Sequence, residues 1–254
     1  MSKAVDSWLS PPLNFKLSSQ EVHVWRVYID TDDSITKKLQ PLLSTDERLK
    51  AAHFRFEKDS AKYIVTRGTL RTILGRYLDK KPEELKFSYN QYGKPALHSI
   101  NTNKLISFNV SHSRGLALIA VAQNWDVGVD IEYVRTNVNY EEIAERFFSP
   151  AEKVVWRLLP TSVKQEAFFN CWTRKEAYIK AKGMGLSIPL NEFDVSFKPG
   201  EPAALLNTTW DEQEANRWSL KEITLAPDYI AALAVEANNY QLKFWQFNGL
   251  CQKF

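Results

Sequence analysis

Asp130 and Glu132 lie two residues apart in a segment with the pattern of a strand, where they alternate with Val129 and Ile131. Because side chains alternate across a strand, both carboxylates project from one face. They repel each other unless a cation lies between them, and magnesium is the natural ion if phosphates complete its coordination shell. On these residues alone, an exposed strand with two solvated acids stays the alternative.

The segment 172–180 has helical periodicity and carries a second group of charges. Glu176 and Lys180 lie one helical turn apart, so they share a face, and their simplest interpretation is a surface ion pair. The functional interpretation makes Glu176 a third metal ligand or a general base, and makes Lys180 a cation that neutralises phosphate. The spacing does not decide between the two.

Two shorter polar segments, residues 92–95 and 108–113, precede the acidic pair. The second predicts a strand that runs into a polar loop, which would offer backbone amides, hydroxyls and the imidazole of His112 to phosphate oxygens. The first predicts a turn that contains Lys94. Taken alone, each segment is ordinary, because these residue types are common in turns.

The elements that would position these residues follow the same order in both halves of the chain: a strand, then helices, then a pair of strands. Capping boxes at Ser44 and Ser149 predict two helix starts, and Gly183 predicts a helix end. The predicted helices begin near residues 44, 60, 149 and 163, and the two long ones end near residues 78 and 182. The predicted strands cover residues 21–30, 86–89, 105–110, 116–122, 127–133, 193–197, 218–224 and 230–235.

The last predicted strands of the two halves, within residues 115–122 and 229–236, are similar in sequence. This similarity predicts an α/β fold of two related subdomains. We place them at residues 1–124 and 125–254, with the acidic pair in the second and a C-terminal tail from about residue 236. Chance similarity between two short apolar strands is the alternative.

Composition limits the cellular setting more than the function. The chain has 254 residues, 44% hydrophobic content and a net charge of +3, a charge too small to indicate nucleic-acid binding by itself. No apolar run is long enough to span a membrane, and residues 1–12 lack the pattern of a signal peptide, so we expect a cytoplasmic protein. Cys171 and Cys251 lie far apart and fit no zinc spacing, which suits a reducing compartment.

Taken together and in this order, the four segments resemble the signature of the Sfp-type 4'-phosphopantetheinyl transferases. That signature reads G-K-P, F-N-x-S-H-S, G-x-D-I-E and W-x-x-K-E-A-x-x-K, and the resemblance covers roughly residues 44–197. It implies an α/β fold of the α+β kind. Two similar, pseudo-twofold-related subdomains would each form a small, mostly antiparallel sheet packed on helices, with coenzyme A bound between them.

The resemblance also implies a reaction, in which the 4'-phosphopantetheine moiety of coenzyme A is transferred to a serine of an apo acyl or peptidyl carrier protein and 3',5'-ADP is released. The implied cofactor is Mg²⁺, with Mn²⁺ as a substitute. The implied partners are an apo acyl carrier protein or the carrier domains of polyketide and nonribosomal peptide synthases, with no nucleic acid and no membrane. The family and the chain length favour a monomer.

Site residues carry over by position. The implied metal ligands are Asp130, Glu132 and Glu176, and the implied catalytic residues are Glu176, Lys180, Asp130 and His112. The implied coenzyme A contacts are Lys50, Lys94, Asn109, Ser111, His112, Lys175 and Lys180. His53 and Tyr63 depart from the residues that relatives often carry. Phe147, Phe148 and Trp156 are candidates for a surface that faces the carrier protein.

Two other functions are compatible with parts of this pattern. A metal-dependent nuclease also uses acidic pairs on a strand, but it usually has a lysine two residues after the glutamate, where this chain has Val134. A non-catalytic module that binds coenzyme A would share the fold. Loss of a metal carboxylate or of Lys180 would mark such a module, and the sequence retains both.

Overall fold

A computed structural model of the chain describes residues 6–98 and 105–249. Cys251 lies outside the described residues. The helices are α1 (Asp33–Leu39), α2 (Thr45–Ala52), α3 (Glu57–Leu78), α4 (Tyr140–Phe147), α5 (Pro150–Leu158), α6 (Thr161–Lys182) and α7 (Glu214–Arg217). The strands are β1 (Glu21–Tyr28), β2 (Phe87–Tyr89), β3 (Pro95–Leu97), β4 (Ile106–Ser113), β5 (Leu116–Gln123), β6 (Val127–Tyr133), β7 (Phe193–Val195), β8 (Leu205–Thr208), β9 (Ser219–Ile223), β10 (Tyr229–Val235) and β11 (Gln241–Gln246).

The two larger sheets lie face to face between helices. The first has the strand order β11-β1-β5-β4, and the second has the order β6-β10-β9. Val24 and Leu118 of the first sheet share a buried apolar cluster with Val129 and Leu233 of the second. The long helix α3 packs on the outer face of the first sheet and α6 on the outer face of the second, each over its own apolar cluster. The layers are therefore helix, sheet, sheet and helix.

Both halves of the chain use the same order of elements. The elements β1, α3, β4 and β5 correspond to β6, α6, β9 and β10, and in each half the last strand lies between the other two in antiparallel pairing. The fold-class prediction of two similar subdomains, with small, mostly antiparallel sheets on helices, is confirmed. The boundary at residues 124 and 125 falls in the connection between β5 and β6, and it stays a prediction.

The region after residue 236, predicted as a tail of the second half, contains β11, which pairs in parallel with β1 of the first sheet. A polar chain joins the two strands to α3. Lys243 lies 2.5 Å from Glu21, which lies 3.2 Å from Nε2 of His23, and Nδ1 of His23 lies 2.7 Å from the hydroxyl of Tyr77. Burial lowers the pKa of His23 to about 4, so this histidine is neutral at neutral pH.

The end of β4 differs from its prediction. Residues 108–113 were expected to pass from a strand into a loop, but β4 continues to Ser113 because it stays paired with β5 along its whole length. Alternation along the strand therefore places Asn109, Ser111 and Ser113 on one face and His112 on the other. The polar residues of this segment cannot all face one ligand.

The helix α6 carries three of the candidate site residues, and small residues allow it to approach β6 closely. A β-carbon added at Gly128 of β6 would lie 2.1 Å from the carbonyl oxygen of Ala177 and 2.4 Å from the amide nitrogen of Ala181. A side chain at position 128 would therefore push the helix away. The helix ends where predicted, at Gly183, whose φ of 70° is left-handed.

Among the helices of the described ranges, none is long and apolar enough to cross a membrane.

We expect Gly128→Ala to destabilise the protein by about 3 kcal/mol, because the new methyl group meets helix backbone that cannot move alone. Gly115→Ala is the matched control, since its added β-carbon would meet only the carboxylate of the exposed Asp30. Urea unfolding monitored by circular dichroism measures both. Equal stability of the two variants would contradict the close packing of α6 on β6.

Candidate active site

The acidic pair of β6 faces α6, because Gly128, Asp130 and Glu132 share the face that contacts the helix. Asp130 is 3% exposed. Its Oδ1 atom accepts hydrogen bonds from the hydroxyl of Ser111 at 2.9 Å and from the ammonium group of Lys180 at 2.5 Å. Its Oδ2 atom is buried without a hydrogen-bond partner among the residues that the structure describes. One oxygen of a buried carboxylate is thus left for a ligand.

Glu132, two residues further along β6, is only partly buried. Its Oε2 atom accepts a hydrogen bond from Ser113 at 3.1 Å and lies 3.7 Å from the guanidinium group of Arg135. Burial raises the pKa of Glu132, and the nearby charge of Asp130 adds to the shift. The carboxyl groups of the two residues therefore repel each other when both are ionised.

Glu176 brings a third carboxyl group from α6 to this face. Burial and the charges of Asp130 and Glu132, partly opposed by Lys180, together raise the pKa of Glu176 to about 7. A carboxyl group with a pKa near neutrality exchanges a proton readily under physiological conditions. The structure therefore brings together Asp130, Glu132, Glu176 and Lys180, as the sequence predicts.

The donor set suits a hard divalent cation, although the described residues contain no group of three or more His, Cys, Asp or Glu side chains already arranged around a metal position. Mg²⁺ does not need one, because proteins usually hold it with one or two carboxylates while phosphates and water complete the shell. The unpartnered Oδ2 atom of Asp130 and the mutual repulsion of the three carboxyl groups are the features that a cation would satisfy.

His112 lies on the exposed edge of the site. Partial desolvation, followed by the charges of Lys180 and Lys62, lowers its pKa, so the ring is mainly neutral at neutral pH. The two lysines are paired with Asp130 and Asp30, at 2.5 and 2.8 Å. Lys50 is also exposed, with its ammonium group 5.5 Å from the ring of Tyr63. Both residues are free to meet an anionic ligand.

Lys94 and Asn90 bind the end of α6. The ammonium group of Lys94 donates to the carbonyl oxygen of Ala181 at 2.6 Å, and the side-chain amide of Asn90 donates to that of Gly183 at 2.7 Å. Free carbonyl groups at the end of a helix favour such donors. In this structure Lys94 therefore holds the helix that carries Glu176 and does not point its charge at an open ligand site.

Lys175 differs from the prediction of a coenzyme A contact. It is 1% exposed, lies 2.9 Å from the carboxylate of Glu152, and donates to the carbonyl oxygens of Leu190 and Phe193 at 2.7 and 2.5 Å. Since all its donors are used inside the second half, it has none left for a ligand. Its position next to Glu176 in sequence places it on a different face of α6.

Asn109 also has an internal partner, because its side-chain oxygen accepts a hydrogen bond from the backbone N–H of Val129 at 2.9 Å. Two of the residues predicted to face a carrier protein are core residues, since Phe148 is 0% and Trp156 is 3% exposed. Phe147 lies at the edge of the same core. Sequence reasoning assigned Glu152 only to a helix capping box, and it left Ser113 and Gly128 as motif positions without a role of their own. The alternating N-x-S-x-S pattern on β4 was the signal available for Ser113.

Comparison with known proteins shows the family of the chain. The family model described as the 4'-phosphopantetheinyl transferase superfamily matches residues 126–234, and the one described as the N-terminal region of 4'-phosphopantetheinyl transferase matches residues 31–124. The crystal structure of Thermotoga maritima holo-(acyl-carrier-protein) synthase overlaps with 45% of this chain and 64% of that chain, at 22% identity and a TM-score of 0.37.

Curated relatives match over greater lengths. The 4'-phosphopantetheinyl transferase HetI of Nostoc sp. is 41% identical over 241 residues, which are 95% of this chain and 98% of that protein. The 4'-phosphopantetheinyl transferase Sfp of Bacillus subtilis is 28% identical over 174 residues, which are 68% of this chain and 75% of that protein. The chain belongs to the 4'-phosphopantetheinyl transferase superfamily and is an enzyme of that class.

We expect the raised pKa of Glu176 to make the metal-free protein less stable as pH rises. Its pKa is 4.5 in the unfolded chain and about 7 in the folded one, so the stabilisation is present at low pH and is lost as pH rises through 7. Between pH 5 and pH 8, with EDTA present, the free energy of unfolding should fall by about 2 kcal/mol more in the wild type than in Glu176→Gln. Urea unfolding at both pH values measures it, and identical pH dependence in both proteins would contradict the shifted pKa.

Lys175 and Lys180 offer a matched pair of lysines on one helix. Lys175→Met should cost about 3 kcal/mol of stability because it leaves the buried charge of Glu152 unpaired. Lys180→Met should cost less, since this lysine is 29% exposed. The double variant Lys175→Met/Glu152→Gln should recover part of the loss, because no unpaired charge remains. If Lys175→Met kept full stability in urea unfolding, the internal role of Lys175 would be wrong.

Proposed function

We propose that this chain transfers the 4'-phosphopantetheine moiety of coenzyme A to a serine of an apo carrier protein in a Mg²⁺-dependent reaction. The observation that carries the proposal is the arrangement around Asp130: a buried carboxylate with one unpartnered oxygen, beside the ammonium group of Lys180 and the carboxyl groups of Glu132 and Glu176. Membership of the superfamily supports the choice of reaction.

Asp130, Glu132 and Glu176 are the residues that would hold Mg²⁺. When bound, the ion supplies positive charge to the pyrophosphate oxygens of coenzyme A. The pKa values of Glu132 and Glu176 are raised mainly by burial and partly by neighbouring carboxylates, and a cation at this place would offset the repulsive part. Lys180 contributes a fixed positive charge from the side of α6.

In the proposed reaction, the hydroxyl oxygen of the carrier serine forms a bond to the phosphorus next to pantetheine. The bond from that phosphorus to the oxygen of 3',5'-ADP breaks, and the departing oxygen keeps the electron pair. The serine proton passes to a base, for which Glu176 is our candidate, since its carboxyl group lies close enough to Asp130 and Lys180 to interact with both charges. Lys180 opposes the negative charge that develops on the phosphate oxygens.

For coenzyme A itself, the exposed positions of His112 and Lys50 fit contacts to its phosphates. Ser111 lies beside Asp130 at the inner end of the site, and Lys94 donates one of its three N–H groups to the carbonyl group of Ala181. We assign the partner as an apo acyl carrier protein or a carrier domain of a polyketide or nonribosomal peptide synthase. We propose that the enzyme acts in the cytoplasm, as a monomer.

Intact-protein mass spectrometry of an apo acyl carrier protein, incubated with the enzyme, coenzyme A and Mg²⁺, tests the proposal. We expect the carrier to gain one phosphopantetheine group, and EDTA to prevent the gain. Asp130→Asn should reduce the rate by about 100-fold or more, because it removes the negative charge that would hold Mg²⁺ beside the reacting phosphates. Circular dichroism checks that this variant is folded. Transfer that persists unchanged in EDTA would contradict the metal assignment, and binding of coenzyme A without transfer to any carrier type would favour a non-catalytic module.

A further inference from the structure

The edge strand of the first sheet lies beside the edge strand of the second. β4 ends the order β11-β1-β5-β4, and β6 begins the order β6-β10-β9. Across the ranges 6–98 and 105–249, the two strands are not paired through their main chains. The edge of β6 therefore presents backbone N–H groups that need acceptors from elsewhere, because buried backbone donors are rarely left unsatisfied.

Side chains of β4 supply these acceptors at every second residue. The side-chain oxygen of Asn109 accepts from the N–H of Val129 at 2.9 Å. The hydroxyl oxygen of Ser113 accepts from the N–H of Tyr133 at 3.0 Å. Between them, Ser111 accepts from the next odd-numbered residue, Ile131, at a longer 3.4 Å. All three bonds join residues that are 20 positions apart, so the strands run parallel in constant register.

Each serine of this row makes a second bond, to a carboxylate of the site. Ser111 donates to Asp130 at 2.9 Å, and Ser113 donates to Glu132 at 3.1 Å. A hydroxyl group has one proton, so a serine that accepts from the backbone and donates to a carboxylate has its direction fixed. Each serine thus fixes the position of β6 relative to β4 and, through the same hydroxyl group, the direction of a carboxylate on β6.

We propose that Asn109, Ser111 and Ser113 form a side-chain ladder that replaces main-chain pairing between β4 and β6, and that Ser113 is thereby a positioning residue for Glu132. Asn109 anchors the ladder at the end where β6 has Gly128 and no carboxylate. The part of this proposal that concerns metal binding rests on the proposed function. The ladder itself does not.

The ladder explains why short polar side chains alternate on β4. A longer side chain would hold the strands apart, and an apolar one would leave the N–H groups of β6 without acceptors. Glu132 is 25% exposed, so without the bond from Ser113 its carboxylate would be free to turn toward Arg135 and solvent. Asp130, being buried and bonded to Lys180, depends less on its serine.

Amide hydrogen exchange followed by NMR tests the ladder in the metal-free protein. In the wild type the amide of Tyr133 should be protected, and Ser113→Ala should speed its exchange by about fivefold or more, as expected for loss of one hydrogen bond. Ser113→Thr keeps the hydroxyl group and should restore protection. Ser219→Ala is the matched control, since it removes a serine hydroxyl from the other edge of the same sheet, where it donates to Tyr240 at 3.0 Å.

The same variants test the positioning of Glu132. In the transfer assay, Ser113→Ala should raise the Mg²⁺ concentration for half-maximal rate by about fivefold, while Ser113→Thr and Ser219→Ala stay near the wild-type value. An unprotected Tyr133 amide in the wild type would overturn the ladder, and this outcome does not depend on how well Ser113→Ala folds. Unchanged protection of the same amide in Ser113→Ala would also overturn it. A shifted exchange rate with an unchanged Mg²⁺ requirement would overturn the positioning of Glu132 alone. Absence of Mg²⁺ dependence in the wild type would instead count against the proposed function.

Discussion

The contact between α6 and β6 sets the geometry on which the site depends. Gly128 has no side chain, and Ala177 and Ala181 lie opposite it, so the helix rests almost directly on the strand. Glu176 and Lys180 directly precede these two alanines on the helix, and Asp130 follows the glycine by two positions on the strand. Close backbone approach thus fixes the distance between Asp130 on the strand and the ammonium group of Lys180 on the helix. Because the backbone is already fixed, forming this ion pair costs only the conformational entropy of the two side chains.

Around this contact, charged groups divide into those that are satisfied and those that are not. Lys175 and Glu152 use their bonding capacity within the second half, so they hold α6 against the chain around β7. Within residues 6–98 and 105–249, one carboxylate oxygen of Asp130 has no hydrogen-bond partner, and the pKa of Glu176 is raised. This division is expected at a ligand site. The unfavourable electrostatics of the site lower the stability of the free protein, and favourable contacts elsewhere offset that loss.

The sequence allowed prediction of the fold class, most elements and the cluster of site residues, because periodicity, capping boxes and the order of motifs are local signals. Partners of individual side chains depend on which elements meet in space, and these could not be predicted. Lys175 lies beside Glu176 in sequence and yet points into the core, since neighbouring helix residues face different directions. Asn109 and Ser113 belong to a motif that suggests ligand binding, whereas their bonds go to β6. The carbonyl group bound by Lys94 lies in the other half of the chain.

The parallel pairing of β11 with β1 has a consequence for how the protein is made. Strand β1 lies between β5 and β11, so the first sheet gains its last strand only from a segment that follows the whole second half in the chain. During synthesis on the ribosome, one edge of β1 therefore stays unpaired until residues 241–246 emerge. A first half that was expressed alone would keep the same edge of β1 unpaired. Such a fragment should aggregate, because an unpaired strand edge forms hydrogen bonds with strands of other chains.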